Sequence, residues 1–160
     1  MRLISLTRNQ KTKVDCENFL KFSQFKWYAR RSSSGKFYAV RAIYPKNKQK
    51  IVYMHRLVIK APDGLEVDHI NGDTLDNRKS NLRLCTNAEN LRNQSKHRRN
   101  KSGFKGVVRN GNNWQAKIRV NNKTIYLGTF KTPVEAAKKY DEYVIKYHGE
   151  FARLNFPKGL

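Results

Sequence analysis

The sequence predicts an α+β fold in which short antiparallel strands are combined with a few helices. Strand-length segments separated by turn sequences recur in residues 1–62 and again in residues 103–130. A helix-capping sequence, Thr132-Pro133-Val134-Glu135, opens a stretch of helical periodicity near the C-terminus. Residues 91–102 are polar, basic and poor in core-forming side chains, which is typical of a linker. We therefore expect a first region at 1–90, a linker at 91–102 and a second module at 103–157.

Residues 1–62 are predicted to form an antiparallel sheet region. Strands are expected at 1–6, 25–30, 37–43 and 51–59, with one or two helical turns at 14–20. A serine-rich turn ending at Gly35 and a polar loop at 45–50 separate the last three strands. Four basic side chains in this region predict either a DNA-facing surface or an ordinary solvated face: Arg30, Arg31, Lys36 and Arg41.

The second module is predicted to be a three-stranded antiparallel sheet packed on one helix. Strands are expected at 104–109, 114–120 and 124–130, joined by short turns. In the middle strand, alternation puts the core-facing side chains on one face and the polar ones on the other: Trp114, Ala116, Ile118 and Val120 against Gln115, Lys117 and Arg119. The helix should run from the capping sequence to about Tyr147, with five side chains on the sheet: Val134, Ala137, Tyr140, Val144 and Tyr147.

The charge balance predicts a polyanionic partner. The chain has 34 Lys and Arg against 12 Asp and Glu, a formal net charge of +22. Basic residues outnumber acidic ones both before and after Asn90, so we expect contact with DNA along the whole chain. No apolar run approaches the length of a membrane span, and the N-terminal residues lack the apolar stretch of a signal peptide.

An acidic cluster interrupts this basic chain, at Asp63, Glu66, Asp68, Asp73 and Asp76. Carboxylates beside phosphate would repel it unless a cation offsets their charge, and a divalent metal is the obvious candidate. Two structural alternatives remain open. Asn71-Gly72-Asp73 is a strong turn sequence, and Asp76 could cap a helix that starts near Asn77. The combination of Asp68-His69 with the later Asn81 and Asn90 favours a metal-dependent phosphodiesterase site.

Other metal sites and compartments are less compatible with the sequence. The two cysteines, Cys16 and Cys85, are far apart and form no Cys-x-x-Cys pair, which argues against a zinc knuckle. A reduced, intracellular (cytoplasmic) protein is the simplest expectation from this cysteine usage. A calcium-binding loop at 68–76 fails on spacing, because Ile70 stands where a second oxygen ligand is needed.

The stretch 66–90 resembles the HNH endonuclease motif, in the form with Asn at the last position that is common in phage and intron-encoded homing enzymes. The similar segments are VDHINGD, LDNR, NLR and TNAEN. An MHRLV segment containing His55 also recurs in such proteins shortly before the Asp-His pair, and for His55 we expect a structural or phosphate-contacting role rather than a catalytic one. The resemblance implies a ββα-metal fold, in which a two-stranded hairpin and a helix surround one divalent cation.

The resemblance also implies a role for each motif residue. His69 corresponds to the general base, Asn81 to the residue that ties down the loop and aims that base, and Asp68 and Asn90 to the metal ligands. Asn87, one helical turn from Asn90, is an alternative ligand. Because the last position is Asn rather than His, Mg²⁺ or Mn²⁺ is favoured over zinc. Two arginines inside the motif, Arg78 and Arg83, are expected to contact DNA.

Residues 103–157 resemble the Apetala-two/ethylene-response-factor DNA-binding domain, through YLGTF, EAAKKYD and the terminal LNFP. The resemblance implies that the sheet enters the major groove of DNA. The implied DNA-contacting residues are Lys105, Arg109, Trp114, Lys117, Arg119 and Tyr126. The first hairpin differs in length from the plant pattern, and Lys117 stands where that family has an acid, so the family's base preference is not inherited.

Together these observations predict a site-specific DNA endonuclease of the HNH homing type that acts on double-stranded DNA without an obligate protein partner. One site per chain would cut one strand, so a monomer should nick and a dimer could break both strands. Two other functions are compatible with parts of the sequence. A non-catalytic DNA-binding regulator would keep a vestigial nuclease fold, and a binder of structured RNA would show an RNA-recognition motif that this sequence lacks.

Overall fold

The computed structural model describes residues 1–94, 96, 100–121 and 123–157. The chain divides into two compact units, Met1–Asn90 and Leu91–Leu160. Helices and several antiparallel sheets are mixed along the chain. Within the described residues, no helix has both the length and the apolar character that crossing a bilayer requires.

The first unit begins with a hairpin of β1 (Arg2–Ser5) and β2 (Lys11–Val14), followed by helix α1 (Cys16–Ser23). Three antiparallel strands then form one sheet in chain order: β3 (Tyr28–Arg31), β4 (Phe37–Ile43) and β5 (Lys50–Tyr53). The short helix α2 (Met54–Val58) leads to the last elements, which are β6 (Glu66–His69), β7 (Leu82–Cys85) and helix α3 (Asn87–Asn93).

The core of the first unit joins the hairpin, α1, α2 and β6. Val14 and Met54 are fully buried there, and Phe22 and Trp27 meet edge to face with ring centroids 5.9 Å apart. The Trp27 indole N–H donates to the Phe22 carbonyl at 2.8 Å, so this ring is buried with its polar atom satisfied. The core therefore holds β6 from one side, at the strand that bears the Asp-His pair.

Three sequence-based boundaries differ from the structure. The strand predicted at 51–59 ends at Tyr53, and Met54–Val58 is helical instead, because Met54, His55 and Val58 face the interior at helical spacing. The strand predicted at 25–30 begins only at Tyr28. Helix α3 also continues to Asn93, three residues into the predicted linker, and residues 95 and 97–99 of that linker lie outside the described residues.

The second unit is a three-stranded antiparallel sheet covered by one long helix. The strands β8 (Val107–Asn110), β9 (Asn113–Val120) and β10 (Lys123–Phe130) lie in the order β10-β9-β8, and helix α4 spans Pro133–His148. The predicted capping box is confirmed. The Glu135 backbone N–H donates to Thr132 Oγ1 at 3.2 Å, and the Thr132 N–H donates to the Glu135 carboxylate at 3.2 Å.

The prediction of which side chains of β9 and α4 are buried is confirmed in part. Ala116 and Ile118 are buried against α4, together with Ala137, Tyr140 and Val144, as the periodicity indicated. Val134 and Tyr147 are instead 42% and 38% exposed. The buried stripe of α4 includes polar Asp141, which accepts backbone N–H bonds from Asn155 and Phe156 at 2.8–3.0 Å and so fixes the C-terminal segment on the helix.

Gly106 allows the chain to pass directly over the Tyr140 ring. Its φ is +75°, and a Cβ built there would lie 2.0 Å from a ring carbon of Tyr140. We expect Gly106→Ala to destabilise the second unit by roughly 2–4 kcal/mol through backbone strain plus steric clash. Amide hydrogen exchange of β9 measures this loss.

Gly111→Ala is the matched control, because Gly111 has φ +57° but no atom within 4 Å of the added methyl group. It should cost only about 1 kcal/mol, the strain of a left-handed non-glycine residue. Equal protection losses in the two variants would contradict the steric account of Gly106.

Candidate active site and nucleic-acid interface

The Asp-His pair lies at the end of β6, in the hairpin with β7. The antiparallel register pairs Asp68 with Arg83, His69 with Leu82 and Glu66 with Cys85. Because alternate strand residues face opposite sides, Glu66 and Asp68 share one face of the hairpin and His69 points to the other. One strand therefore presents carboxylates on one side and an imidazole on the other.

Asp68 is buried and paired with a cation. It is 5% exposed, and both Nε and Nη2 of Arg83 donate to its Oδ2, at 2.9 and 2.6 Å. The Arg83 side chain is itself mostly buried. A buried carboxylate needs such a partner, since an uncompensated charge in the interior is costly. Arg83 thus holds Asp68 in this structure, and its expected contact with DNA stays a prediction.

Helix α3 brings two asparagines to Glu66. The helix starts at a local capping box, in which the Glu89 N–H donates to Thr86 Oγ1 and the Thr86 N–H donates to the Glu89 carboxylate. From its first turn, Nδ2 of Asn87 and of Asn90 donate to the two Glu66 carboxylate oxygens at 2.7 and 2.5 Å. These bonds hold the pKa of Glu66 below its usual value, with Asn90 the larger influence.

The donors around Glu66 and Asp68 fit a hard divalent cation. Because a carboxylate can only accept, the Asn90 amide nitrogen must face Glu66, which leaves Asn90 Oδ1 as the atom of this amide that can coordinate a metal. Among the described residues, no group of three His, Cys, Asp or Glu side chains is arranged to hold a metal ion. One carboxylate and one amide oxygen, completed by water and phosphate, suit Mg²⁺ or Mn²⁺ better than zinc.

His69 is buried at the other side of β6. It is 4% exposed, and its Nε2 lies 3.4 Å from Asn77 Oδ1. Burial lowers the pKa of His69 below its usual value, against opposing contributions from Asn77 and Asp68. The ring edge packs against His55 and Tyr38, with centroids 5.2 and 6.3 Å away. The imidazole is therefore held on several sides.

His55 belongs to the same cluster of rings. It is 8% exposed and lies 5.3 Å from the Tyr53 ring centroid as well as beside His69. Burial, then His69 and Arg56, lower the pKa of His55 to about 3, so this side chain is neutral at physiological pH. Its placement in α2 against the rings is that of a packing residue.

The loop between β6 and β7 is fastened by Asn81. This residue is 6% exposed, and its Oδ1 accepts from the Asn71 N–H at 3.0 Å while its Nδ2 donates to the Asp76 carbonyl at 2.9 Å. Its backbone carbonyl also accepts from the Ile70 N–H at 2.9 Å. Asn81 thus joins the start of the loop, directly after His69, to its end.

Asp76 does not cap a helix, which was one of the two structural alternatives. It is fully buried and accepts two bonds from Arg78, at 2.8 and 2.7 Å, and one from Asn71 at 3.1 Å. The hydrogen bonds from Arg78 lower the pKa of Asp76. The predicted turn at Asn71-Gly72-Asp73 is present. Asn71 Oδ1 accepts from the Asp73 N–H at 2.8 Å, and Gly72 has φ +77°. The Arg78 guanidinium, like that of Arg83, donates hydrogen bonds to a carboxylate.

Strand β2 supports the same loop from the N-terminal hairpin. The Lys13 N–H donates to the Leu75 carbonyl at 2.8 Å, and the Asn77 N–H donates to the Lys13 carbonyl at 2.9 Å. Lys13 Nζ also pairs with Asp73 at 3.0 Å. From the sequence, neither Asn77 nor Glu66 was assigned a role in the site, although Glu66 is one of the five acids of the cluster. The i, i+2 spacing of Glu66 and Asp68 on a strand indicates that both carboxylates share one face. No feature of the sequence indicates the pairing of β2 with residues 75–77.

The second unit presents a basic outer face away from α4. Lys117, Arg119 and Tyr126 are all exposed, and Tyr126 lies directly opposite Lys117 in the register of β9 and β10. Directly paired residues point to the same side of a sheet. These three expected DNA contacts therefore share one surface.

The structure does not bring Arg109 and Trp114 to that surface. The register pairs Arg109 with Trp114 and Val108 with Gln115, so Val108, not Arg109, shares the side of Lys117. Trp114 packs against the core under α4, and the Arg109 guanidinium lies 5.9 Å from its ring centroid. Trp114 therefore lies on the packed side of β9, as the alternation of that strand predicted, and Arg109 shares its side. The contacts of Arg109 and Trp114 with DNA stay predictions.

Lys105 is also committed to the fold. Its Nζ donates to the backbone carbonyls of Arg92 and Gln94, at 2.6 Å for the second. Burial, followed by the nearby Arg153, lowers the pKa of Lys105 to about 8. The amino group is thus occupied by hydrogen bonds to carbonyls at and just after the end of α3, and the expected contact of Lys105 with DNA stays a prediction.

The chain is similar in sequence to known proteins, both at this site and beyond it. Residues 52–92 match the family model described as HNH endonuclease. An uncharacterized HNH endonuclease of Acanthamoeba polyphaga mimivirus is 33% identical over 136 residues, covering 83% of this chain and 68% of the relative.

Two plant proteins match a shorter part of the chain. An AP2-like ethylene-responsive transcription factor of Oryza sativa subsp. japonica is 41% identical over 88 residues, which is 52% of this chain. The dehydration-responsive element-binding protein 2A of Arabidopsis thaliana is 47% identical over 58 residues, which is 34% of this chain. The chain spans only 14% and 17% of these two plant proteins, so the similarity concerns a small part of each.

The buried, neutral state of His55 gives the first unit an acid-sensitive stability. Its folded pKa of about 3 lies below the unfolded value of 6.5, so the unfolded chain binds an extra proton as the pH falls below 6.5. Stability is therefore lost on acidification, by about 2 kcal/mol between pH 7.5 and 5. Urea unfolding followed by Trp27 fluorescence, in a Trp114→Phe background, measures this loss.

His55→Phe keeps the ring packing and removes the titrating group. The variant should lose less stability than the parent between pH 7.5 and 5, by the same amount of about 2 kcal/mol. Identical losses in the two proteins would show that the imidazole is not held neutral by burial.

Proposed function

The chain belongs to the HNH endonuclease family and is a DNA endonuclease, and we propose that it hydrolyses a phosphodiester bond with His69 as the general base and one divalent cation held by Asp68 and Asn90. The observation that carries this proposal is the placement of a buried Asp68 beside His69, with Asn90 oriented by Glu66 so that its amide oxygen can coordinate. In this proposal β6, β7 and α3 form the ββα-metal unit.

The metal would be held by oxygen atoms of this chain. Asp68 supplies a carboxylate and Asn90 an amide oxygen, and Glu66 adds negative charge next to them. HNH nucleases generally use a divalent metal, and we propose Mg²⁺ or Mn²⁺ here because the protein donors are oxygens. When bound, the ion polarises the scissile phosphate and stabilises the leaving oxygen.

His69 would take a proton from the attacking water. An imidazole that is neutral near pH 7 can accept this proton, and its packing against His55 and Tyr38 limits the orientations open to the ring. Asn81 would act as a positioning residue, since its hydrogen bonds to residues 70, 71 and 76 join the two ends of the loop. Its bonds restrict the backbone that follows His69.

The substrate is DNA, and we propose that it is a duplex read at a specific site by an enzyme of the homing type. The outer face of β9 and β10 would lie against the duplex through Lys117, Arg119 and Tyr126. The domain similarity to the plant transcription factors supports this choice of surface. A single chain has one such His69 site and would nick one strand.

Nicking of supercoiled plasmid carrying candidate target DNA tests the chemistry. Wild type should nick with Mg²⁺ or Mn²⁺ and not with excess chelator, whereas His69→Ala should lose cleavage by at least ~10²-fold, the usual contribution of a general base. The two proteins should bind the duplex equally in the absence of metal. Nicking by His69→Ala at the wild-type rate would contradict the assignment of the base.

Charge removal on the outer face tests the DNA-binding surface. We expect Lys117→Gln/Arg119→Gln to weaken duplex binding about tenfold or more and to lower the slope of log affinity against log salt by roughly two, because two phosphate contacts are lost. Fluorescence anisotropy at several salt concentrations measures both quantities. Lys138→Gln/Lys146→Gln is the charge-matched control, since both are exposed lysines of α4. Equal effects would mean that only total charge matters.

A further inference from the structure

Thr12 is a buried polar residue far from the motif in sequence. It lies in β2, has 0% exposure and precedes the segment matched by the family model, 52–92. Its hydroxyl nevertheless contacts the loop of the active site, at Leu75 and Asn77. Asn77 is also fully buried and lies between Thr12 and His69.

The directions of these hydrogen bonds follow from the chemistry of each group. A threonine hydroxyl has one hydrogen, and a backbone carbonyl can only accept, so at 2.7 Å the Thr12 hydrogen must be donated to the Leu75 carbonyl. Thr12 Oγ1 can then only accept from Asn77, at 2.7 Å, which requires the Asn77 amide nitrogen at that side. The orientation of the Asn77 amide is thereby fixed.

With its nitrogen on Thr12, Asn77 turns its Oδ1 toward His69 Nε2, at 3.4 Å. An amide oxygen can only accept, so a hydrogen bond across this contact places the single hydrogen of the neutral imidazole on Nε2. The lone pair then lies on Nδ1. The pattern is that of a partner group selecting the tautomer of a catalytic histidine.

We propose that Thr12 and Asn77 are positioning residues that fix His69 in the tautomer protonated on Nε2, so that Nδ1 is the atom that accepts the proton of the attacking water. The second half of this inference rests on the proposed function of His69. The first half concerns only the resting protein. In this step an O–H bond of the attacking water breaks and an N–H bond forms at Nδ1. The water oxygen bonds to phosphorus, and the leaving oxygen departs with the electron pair of its P–O bond.

The tautomer is measured directly by NMR on the full-length protein. Long-range ¹H–¹⁵N correlation spectra of ¹⁵N-histidine-labelled protein, metal-free at pH 7.5, distinguish the protonated from the unprotonated ring nitrogen. The His69 signals are assigned by their loss in His69→Gln. We expect a protonated Nε2 and an unprotonated Nδ1. A proton found on Nδ1 in the wild type would overturn the inference, with no variant needed.

A pair of substitutions tests the part assigned to Thr12. Thr12→Val keeps the shape and removes the hydroxyl, which frees the Asn77 amide to rotate, so the fraction of His69 protonated on Nδ1 should rise. The kcat of plasmid nicking should fall about 10- to 100-fold with KM changed less than about twofold, as expected for loss of a supporting hydrogen bond. Thr12→Ser retains the hydroxyl and should restore both readouts.

The outcomes separate this inference from the proposed function. Wild-type cleavage by His69→Ala would refute His69 as the base, whatever its tautomer. An inactive His69→Ala together with a protonated Nδ1 in wild type would refute the tautomer and leave the base in place. A folded Thr12→Val with an unchanged tautomer and unchanged kcat would refute the role of Thr12. If Thr12→Val does not fold, the wild-type tautomer decides.

Discussion

Every acidic side chain of the 66–76 segment has to be compensated, and this constraint shapes the first unit. In a chain of net charge +22, Asp68, Asp73 and Asp76 are each paired with a basic side chain, which limits the cost of placing carboxylates in or near the interior. Glu66 differs, because the hydrogen bonds that hold it come from two asparagine amides of α3. The hairpin face next to α3 therefore keeps negative charge, as a cation site beside a phosphate requires.

The basic residues divide into two groups that net charge alone does not separate. Arg78, Arg83 and Lys105 are committed to carboxylates or carbonyls of the fold. Lys117 and Arg119 are exposed on one side of the sheet. The first group is held by partners within the fold, whereas the second faces outward. The positive charge predicts the class of partner, but it does not indicate which basic side chains meet the DNA.

Local patterns were enough to predict the second unit. Alternation in β9 and the capping box of α4 are read from neighbouring residues, and both elements lie where those residues indicated. The exposure of Val134 and Tyr147 was not predicted, because the buried stripe of α4 is shared with Asp141, whose partners lie 14 residues or more further along the chain. The side of the sheet taken by Arg109 depended on hairpin register, which a loop of altered length leaves open.

In the first unit, the motif residues were found by resemblance, but their supports were not. The helix at Met54–Val58 arises from tertiary packing, which overrode a strand-like run of apolar residues. Thr12 and Asn77 are 65 residues apart, and only the pairing of β2 with the loop joins them. Contacts of this kind leave no periodic signal in the sequence, so residues that support a site are predicted less well than those that form it.

The proposed chemistry depends on a divalent cation at Asp68 and Asn90, between β6 and α3. A titration with Mn²⁺, followed by paramagnetic broadening of backbone amide signals, tests this binding without DNA or cleavage. We expect broadening centred on residues 68, 69 and 90, and its loss in Asp68→Asn. Broadening centred on the Asp73 and Asp76 turn, unchanged in Asp68→Asn, would contradict it.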